Sequence, residues 1–82
     1  MWEERKSPLR LERRFEFNSY QQSSKFMKEI DSLCKESKIY PNISFGPKFV
    51  SITIFSDLEV ISIKEKEFTL KINEKFTNLM SE

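Results

Sequence analysis

Leu9-Arg10-Leu11-Glu12-Arg13-Arg14-Phe15-Glu16-Phe17 reads as a strand with one face buried. Leu9, Leu11, Phe15 and Phe17 share one parity, and Arg10, Glu12, Arg14 and Glu16 share the other. Side chains alternate between the two faces of a strand, so this period of two sets the apolar group against a core and the charged row toward water. Arg13 breaks the pattern, because it falls on the apolar parity. Two readings of it stay open. One is an arginine near a sheet edge, with its stem on the core and its head in water. The other is a guanidinium kept there to clamp a carboxylate.

Upstream, residues 1–8 are polar apart from Trp2 and end at Pro8, as expected of an N-terminal arm or short edge strand. Residues 9–82 then form a single domain. Downstream, Asn18 or Ser19 can cap a helix, and either choice puts a glutamine, Gln21 or Gln22, at its third position. Tyr20, Phe26, Met27, Ile30, Leu33, Cys34 and Ser23 repeat at helical spacing through about Ser37. Pro41 ends that pattern, a short extended piece spans Ile43 to Phe45, and Gly46-Pro47 signals a turn. Phe49 to Phe55 has apolar residues on both parities, so it reads as a central strand with a partner on each side. After a short apolar piece, Val60 to Ile63, a second helix runs from Glu65 to about Met80 with Phe68, Ile72, Phe76 and Leu79 buried. This order gives an α+β fold, a small antiparallel sheet with two helices packed on one face. The other face stays open, and its Phe49 and Phe55 make it a candidate partner surface.

Composition narrows the chemistry. The chain of 82 residues has no histidine, one cysteine and one glycine. Histidine is the usual proton-transfer side chain near neutral pH and the commonest metal ligand, so metal and acid–base sites are disfavoured. One glycine leaves no phosphate-cradling loop. Cys34 sits on the apolar stripe and reads as a small buried hydrophobe, not a reactive thiol. Ser51 and Thr53 lack a base to activate them. The net charge of +1, with acids and bases interleaved, argues against nucleic-acid or membrane partners. A single cysteine and no signal-peptide core point to a cytoplasmic protein.

From Leu11 to Phe76 these elements resemble the pterin-4a-carbinolamine dehydratase family. The shared features are Phe15-Glu16-Phe17 closing a strand, a helix with Tyr20 and Phe26-Met27, a proline-containing turn, a strand pair and a closing helix. The resemblance implies adjacent histidines before that proline and a third in the following strand. Here those slots hold Ile39, Tyr40 and Pro41, then Ser51, and an acidic position near the start of the last helix corresponds to Glu67. A narrower similarity joins Trp2, Arg5, Pro8-Leu9, Leu11-Glu12-Arg13-Arg14-Phe15-Glu16-Phe17 and Tyr20 to Tyr40-Pro41-Asn42, Phe45-Gly46 and Val50. It is to dehydratase-like RuBisCO assembly factors of α-carboxysome bacteria.

That similarity implies a non-catalytic chaperone without cofactor or metal, acting as a homodimer on the RuBisCO large subunit. Trp2, Arg5, Arg13, Arg14, Tyr40, Phe45, Phe49 and Ser51 are the candidate partner-binding residues, the arginines selecting acidic groups and the aromatics supplying apolar contact. Ile39, Tyr40, Pro41, Ser51 and Glu67 are the expected degenerate active-site positions. Tyr40 and Phe45 are expected to fill the former pocket or close its mouth. The competing readings are a divergent dehydratase using Glu67 and water, and a dimerisation cofactor or coactivator.

Overall fold

The computed structural model describes residues 1–81. Its elements are β1 (Glu3–Arg5), β2 (Arg10–Glu16), α1 (Tyr20–Ser37), β3 (Asn42–Gly46), β4 (Phe49–Phe55) and α2 (Ile63–Met80). All neighbouring strands are antiparallel, in the order β1-β2-β4-β3. β4 is therefore interior, as its two apolar parities require. β2 is interior only over Arg10–Glu12, the residues that the short β1 pairs with, so Arg13 stands where that pairing ends and the outer side of β2 becomes a sheet edge.

Both helices lie over one face of the sheet. From β2 and β4, Leu11, Phe15, Val50, Ile52 and Ile54 point into that layer, and α1 adds Phe26, Ile30, Leu33 and Cys34. α2 adds Phe68, Ile72 and Leu79. The centre is aromatic: Phe15 meets Phe26 at 4.8 Å and Phe76 at 5.0 Å between ring centroids, and Phe17 meets Phe26 at 5.2 Å. Tilted rings at these separations pack favourably beyond the area they bury. Bulky side chains thus make a thick core in a small domain.

Helix ends follow local chemistry. Ser19 caps α1, its Oγ accepting from the Gln22 backbone N–H, while Gln22 Oε1 accepts from the Asn18 N–H at 2.8 Å. Lys38 closes α1 in the left-handed region, and its N–H donates to the Cys34 carbonyl at 2.8 Å. α2 begins two residues before the expected Glu65. Ser62 and Glu65 form a reciprocal capping box there, so Glu65 stands at the third helical position. Tyr20 departs from its expected place on the stripe and is 60% exposed. It is the first residue of α1 and lies on the flank of the stripe away from Phe26 and Leu33.

Two polar details tie the layers together. Ser23 is fully buried, and its Oγ lies 3.0 Å from both the Tyr20 and the Pro47 carbonyl oxygens, so its single proton is shared between them and ties α1 to the β3–β4 turn. On the far face of the sheet, β1 is clipped to β2. Arg5 Nε donates to Glu12 at 3.0 Å, Arg5 Nη2 to Glu3 at 2.9 Å, and Arg10 Nε to Glu12 at 2.6 Å. The Arg10 hydrogen bond lowers the Glu12 carboxyl below the usual carboxylate range; desolvation, the next largest influence, opposes it, and the Arg5 hydrogen bond adds to the lowering.

Ser23→Ala leaves the Pro47 carbonyl without this partner and should cost about 1 kcal/mol, whereas Phe26→Ala should cost about 3–5 kcal/mol through the cavity it opens. Urea unfolding monitored by circular dichroism measures both. Because the folded-state pKa of Glu12 is depressed, its contribution is present above the ordinary glutamate pKa and is lost as pH falls through the depressed value. The stability gap between the native chain and Glu12→Gln should therefore be constant near neutrality and close in strong acid, as denaturation midpoints across pH would report.

Candidate functional site

The strand register sorts the candidate residues. Directly opposed residues of an antiparallel pair point to the same side. Glu3↔Glu12, Arg5↔Arg10, Arg14↔Ser51, Ser44↔Ser51 and Gly46↔Phe49 thus all belong to the open face, away from the helices. Trp2 and Arg13 have the opposite parity and belong to the helix side. The eight candidate binding residues therefore do not form one patch.

On the open face, Arg14, Phe49 and Ser51 come together. The Arg14 guanidinium lies 4.1 Å from the centre of the Phe49 ring, and its Nε donates to Glu16 at 3.1 Å. Beneath the ring is Gly46, where any Cβ would run into Phe49. The chain's one glycine thus lets an aromatic ring lie flat across the neighbouring strand, with an arginine stacked over it. Ser51 and Thr53 line a shallow hollow of about 380 Å³ with Glu3, Glu12 and Arg14. Arg5 joins this face through its glutamate pairs.

On the helix side, Trp2 does more than the arm reading suggests. It packs on the core, edge-on to Phe15 at 6.0 Å, and its Nε1 donates to Asn73 Oδ1 at 2.8 Å. Arg13 Nη1 donates to the same oxygen at 2.7 Å, and its guanidinium stands 4.3 Å from the Phe15 ring centre and 5.5 Å from that of Phe76. Burial alone pushes the Arg13 pKa down from its ordinary value. Of the two sequence readings, the sheet-edge one agrees in position, since Arg13 lies just past the residues that β1 pairs with, although its head rests on the Phe15 and Phe76 rings. The carboxylate reading meets an amide instead. Asn73 escaped the sequence reading, since an asparagine on a helix with no motif around it gives no signal.

The expected degenerate positions are dispersed. Ile39 packs on the core, whereas Tyr40 is 72% exposed. Pro41 is half-buried ahead of β3. Phe45, on the edge strand, is 56% exposed. Exposure of this order is incompatible with filling a pocket, so Tyr40 and Phe45 are not plugs. Ser51 lines the open-face hollow. Glu67 lines a different one, of about 330 Å³, with Glu36, Lys38, Lys64 and Lys71. The acid that does organise the start of α2 is Glu65, whose Oε1 accepts from the Ser62 N–H at 2.9 Å and from Ser56 Oγ at 3.1 Å.

No imidazole exists to move a proton at any of these positions. Cys34 is buried, and burial followed by nearby Asp31 pushes its thiol pKa up, which disfavours the thiolate. Among the described residues no group of three His, Cys, Asp or Glu side chains could hold a metal ion, and no helix is long and apolar enough to cross a membrane. What the site offers is contact chemistry: a stacked Arg–Phe pair, a mixed-charge row and one exposed aromatic, Phe45, on an edge strand.

Comparison with known proteins places this geometry in a family. One solved structure, of a pterin dehydratase-like protein identified as a RuBisCO assembly factor in the alpha-carboxysome, superposes with a TM-score of 0.85 at 30% identity. The match covers 92% of this chain and 88% of that one. A transcriptional coactivator/pterin dehydratase from Brucella melitensis superposes with a TM-score of 0.80 at 16% identity, covering 90% and 80% respectively, and shares the fold. No curated protein matches the chain. The model of the pterin 4 alpha carbinolamine dehydratase family matches residues 1–74, and this chain belongs to that family.

Proposed function

We propose that this chain is a RuBisCO assembly factor, a binding module on a dehydratase scaffold that does not turn over pterin. The observation that carries this reading is the 30% identity, over 92% of the chain, to a protein identified as such a factor. Residue chemistry supports it. Dehydration of a carbinolamine needs a group to deliver a proton to the departing hydroxyl and one to remove a proton. The slots implied for histidines hold Ile39, Tyr40 and Ser51. A serine hydroxyl without a base and an exposed tyrosine do not replace a relay of imidazoles.

In this reading the open sheet face covers a surface of the RuBisCO large subunit that is exposed before assembly is complete. Phe49 and Phe55 supply apolar contact, and Arg14 is held ready over Phe49. Release follows when a neighbouring large subunit competes for the same surface. The chain works in the cytoplasm as a homodimer, for which the outer edge of β3, flanked by exposed Tyr40 and Phe45, offers a seam. The family match favours one rival, a divergent dehydratase using Glu67 and water.

Co-expression with RuBisCO subunits tests the assignment. The native chain should raise the yield of assembled enzyme and co-purify with the large subunit. The double variant Arg14→Glu, Phe49→Ala removes one stacked pair from a half-exposed site. It should lower that yield at least about fivefold while leaving the circular dichroism melt nearly unchanged, since loss of an interface anchor costs about 1–2 kcal/mol or more. An unchanged yield would remove the open face from the binding site, and no co-purification of the native chain would remove RuBisCO as the partner.

A further inference from the structure

The chain has four arginines, and three of them are neutralised within the fold. Arg5, Arg10 and Arg14 each pair with a glutamate on the open face. Arg13 is different. Among the described residues no carboxylate pairs with it, and its one hydrogen-bond acceptor is the neutral side chain of Asn73. Its Nε is buried and has no hydrogen-bond partner.

An arginine left this way is half of an interaction. The guanidinium presents five N–H donors in a planar fork, and a charge-assisted bond from any accessible one of them to a carboxylate is stronger than a bond between neutral groups. Asn73 occupies Nη1 and Nε is buried, so Nη2 is the donor left for a group arriving from outside. The ring faces of Phe15 and Phe76 partly offset the charge, but a ring quadrupole is a weaker partner than an anion. The rings therefore leave most of the charge uncompensated, and a carboxylate bonded to Nη2 would neutralise it.

The surroundings are shaped for such a group. Arg13, Trp2, Asn73, Thr69 and Leu70 line a hollow of about 440 Å³. Trp2 and Arg13 are both pinned by Asn73 Oδ1, which fixes the cation relative to the indole before anything binds. Leu70, on the rim, is 61% exposed. The hollow thus pairs one uncompensated cation with an adjacent apolar ledge.

We propose that the Trp2–Arg13–Asn73 hollow is a receptor for a carboxylate of the partner protein, an Asp or Glu side chain next to an aliphatic residue that rests on Leu70. The inference rests on the binding reading above and narrows it. Of the four arginines, Arg13 selects the acidic group, while Arg14, already paired with Glu16, contributes through its stack on Phe49. Met1 and Arg13 line both this hollow and the open-face one beside Arg14, so the partner reaches from the open face round the edge of the sheet at Arg13.

Titration of the full chain with acetyl-leucyl-aspartyl amide, followed by ¹⁵N NMR of the arginine Nε–H and tryptophan Nε1–H signals, tests this directly. Acetyl-leucyl-asparaginyl amide is the control. The Arg13 and Trp2 signals should move saturably, with the acidic peptide binding about tenfold or more tightly than its amide twin. Arg13→Gln should abolish the difference. Leu70→Ser, a surface change that spares the fold, should weaken the acidic peptide about threefold to tenfold. Equal responses to the two peptides, no movement of the Arg13 signal, or an equal shift at Arg14 would each overturn the proposal. Peptide recognition and RuBisCO yield are separate readouts. A native yield effect without peptide recognition would sink the receptor and spare the assembly role, and recognition without a yield effect would do the reverse.

Discussion

Two helices can cover only one face of a four-stranded sheet, and most of this molecule follows from that limit. The covered face takes the large side chains, with Phe15, Phe17, Phe26 and Phe76 in mutual ring contact at its centre. The other face must meet water, and it does so with rows of opposite charge. Arg5, Arg10 and Arg14 alternate with Glu3, Glu12 and Glu16 and neutralise one another across β1 and β2. Such exposed pairs add little stability. Their consequence is a flat, nearly neutral surface with Phe49 and Phe55 set into it. The same limit leaves β3 as a bare edge, with Phe45 half out of the core.

Much of this was legible in the chain. The parity of Leu11, Phe15 and Phe17 named the inner face of β2, and the double apolar parity of Val50 to Phe55 named β4 as interior. Those signals are strong because a one-residue slip would turn every side chain to the wrong face. Helix starts were readable where the cap was looked for, at Ser19. At Ser62 the apolar run from Val60 to Ile63 masked the capping box. Yet Val60 and Ile63 are 70% and 75% exposed, and only Ile61 is buried between them.

The surroundings of the candidate binding residues were harder to read for a physical reason. Periodicity reports which side of the sheet a residue takes, but not what it meets across a long sequence gap. Trp2 and Arg13 converge on Asn73, 71 and 60 residues away, and no local pattern announces that meeting. Likewise the flat seat of Phe49 depends on Gly46 across the ladder. Tyr40 and Phe45 were expected to fill a pocket or close its mouth, but both stand largely in solvent, Tyr40 ahead of β3 and Phe45 on it. The chain therefore presents contact groups on both sides of β2, and the positions implied for catalysis are scattered over separate hollows.

The central claim is that a dehydratase scaffold here serves binding and not turnover. Its most direct test is the rate of 4a-carbinolamine dehydration, followed by absorbance with freshly generated 4a-hydroxytetrahydropterin and the purified chain in stoichiometric excess. The account expects the spontaneous rate, unchanged by protein and unchanged by Glu67→Gln. A saturable acceleration that Glu67→Gln abolishes would contradict it and restore the chain to the enzymes of its family.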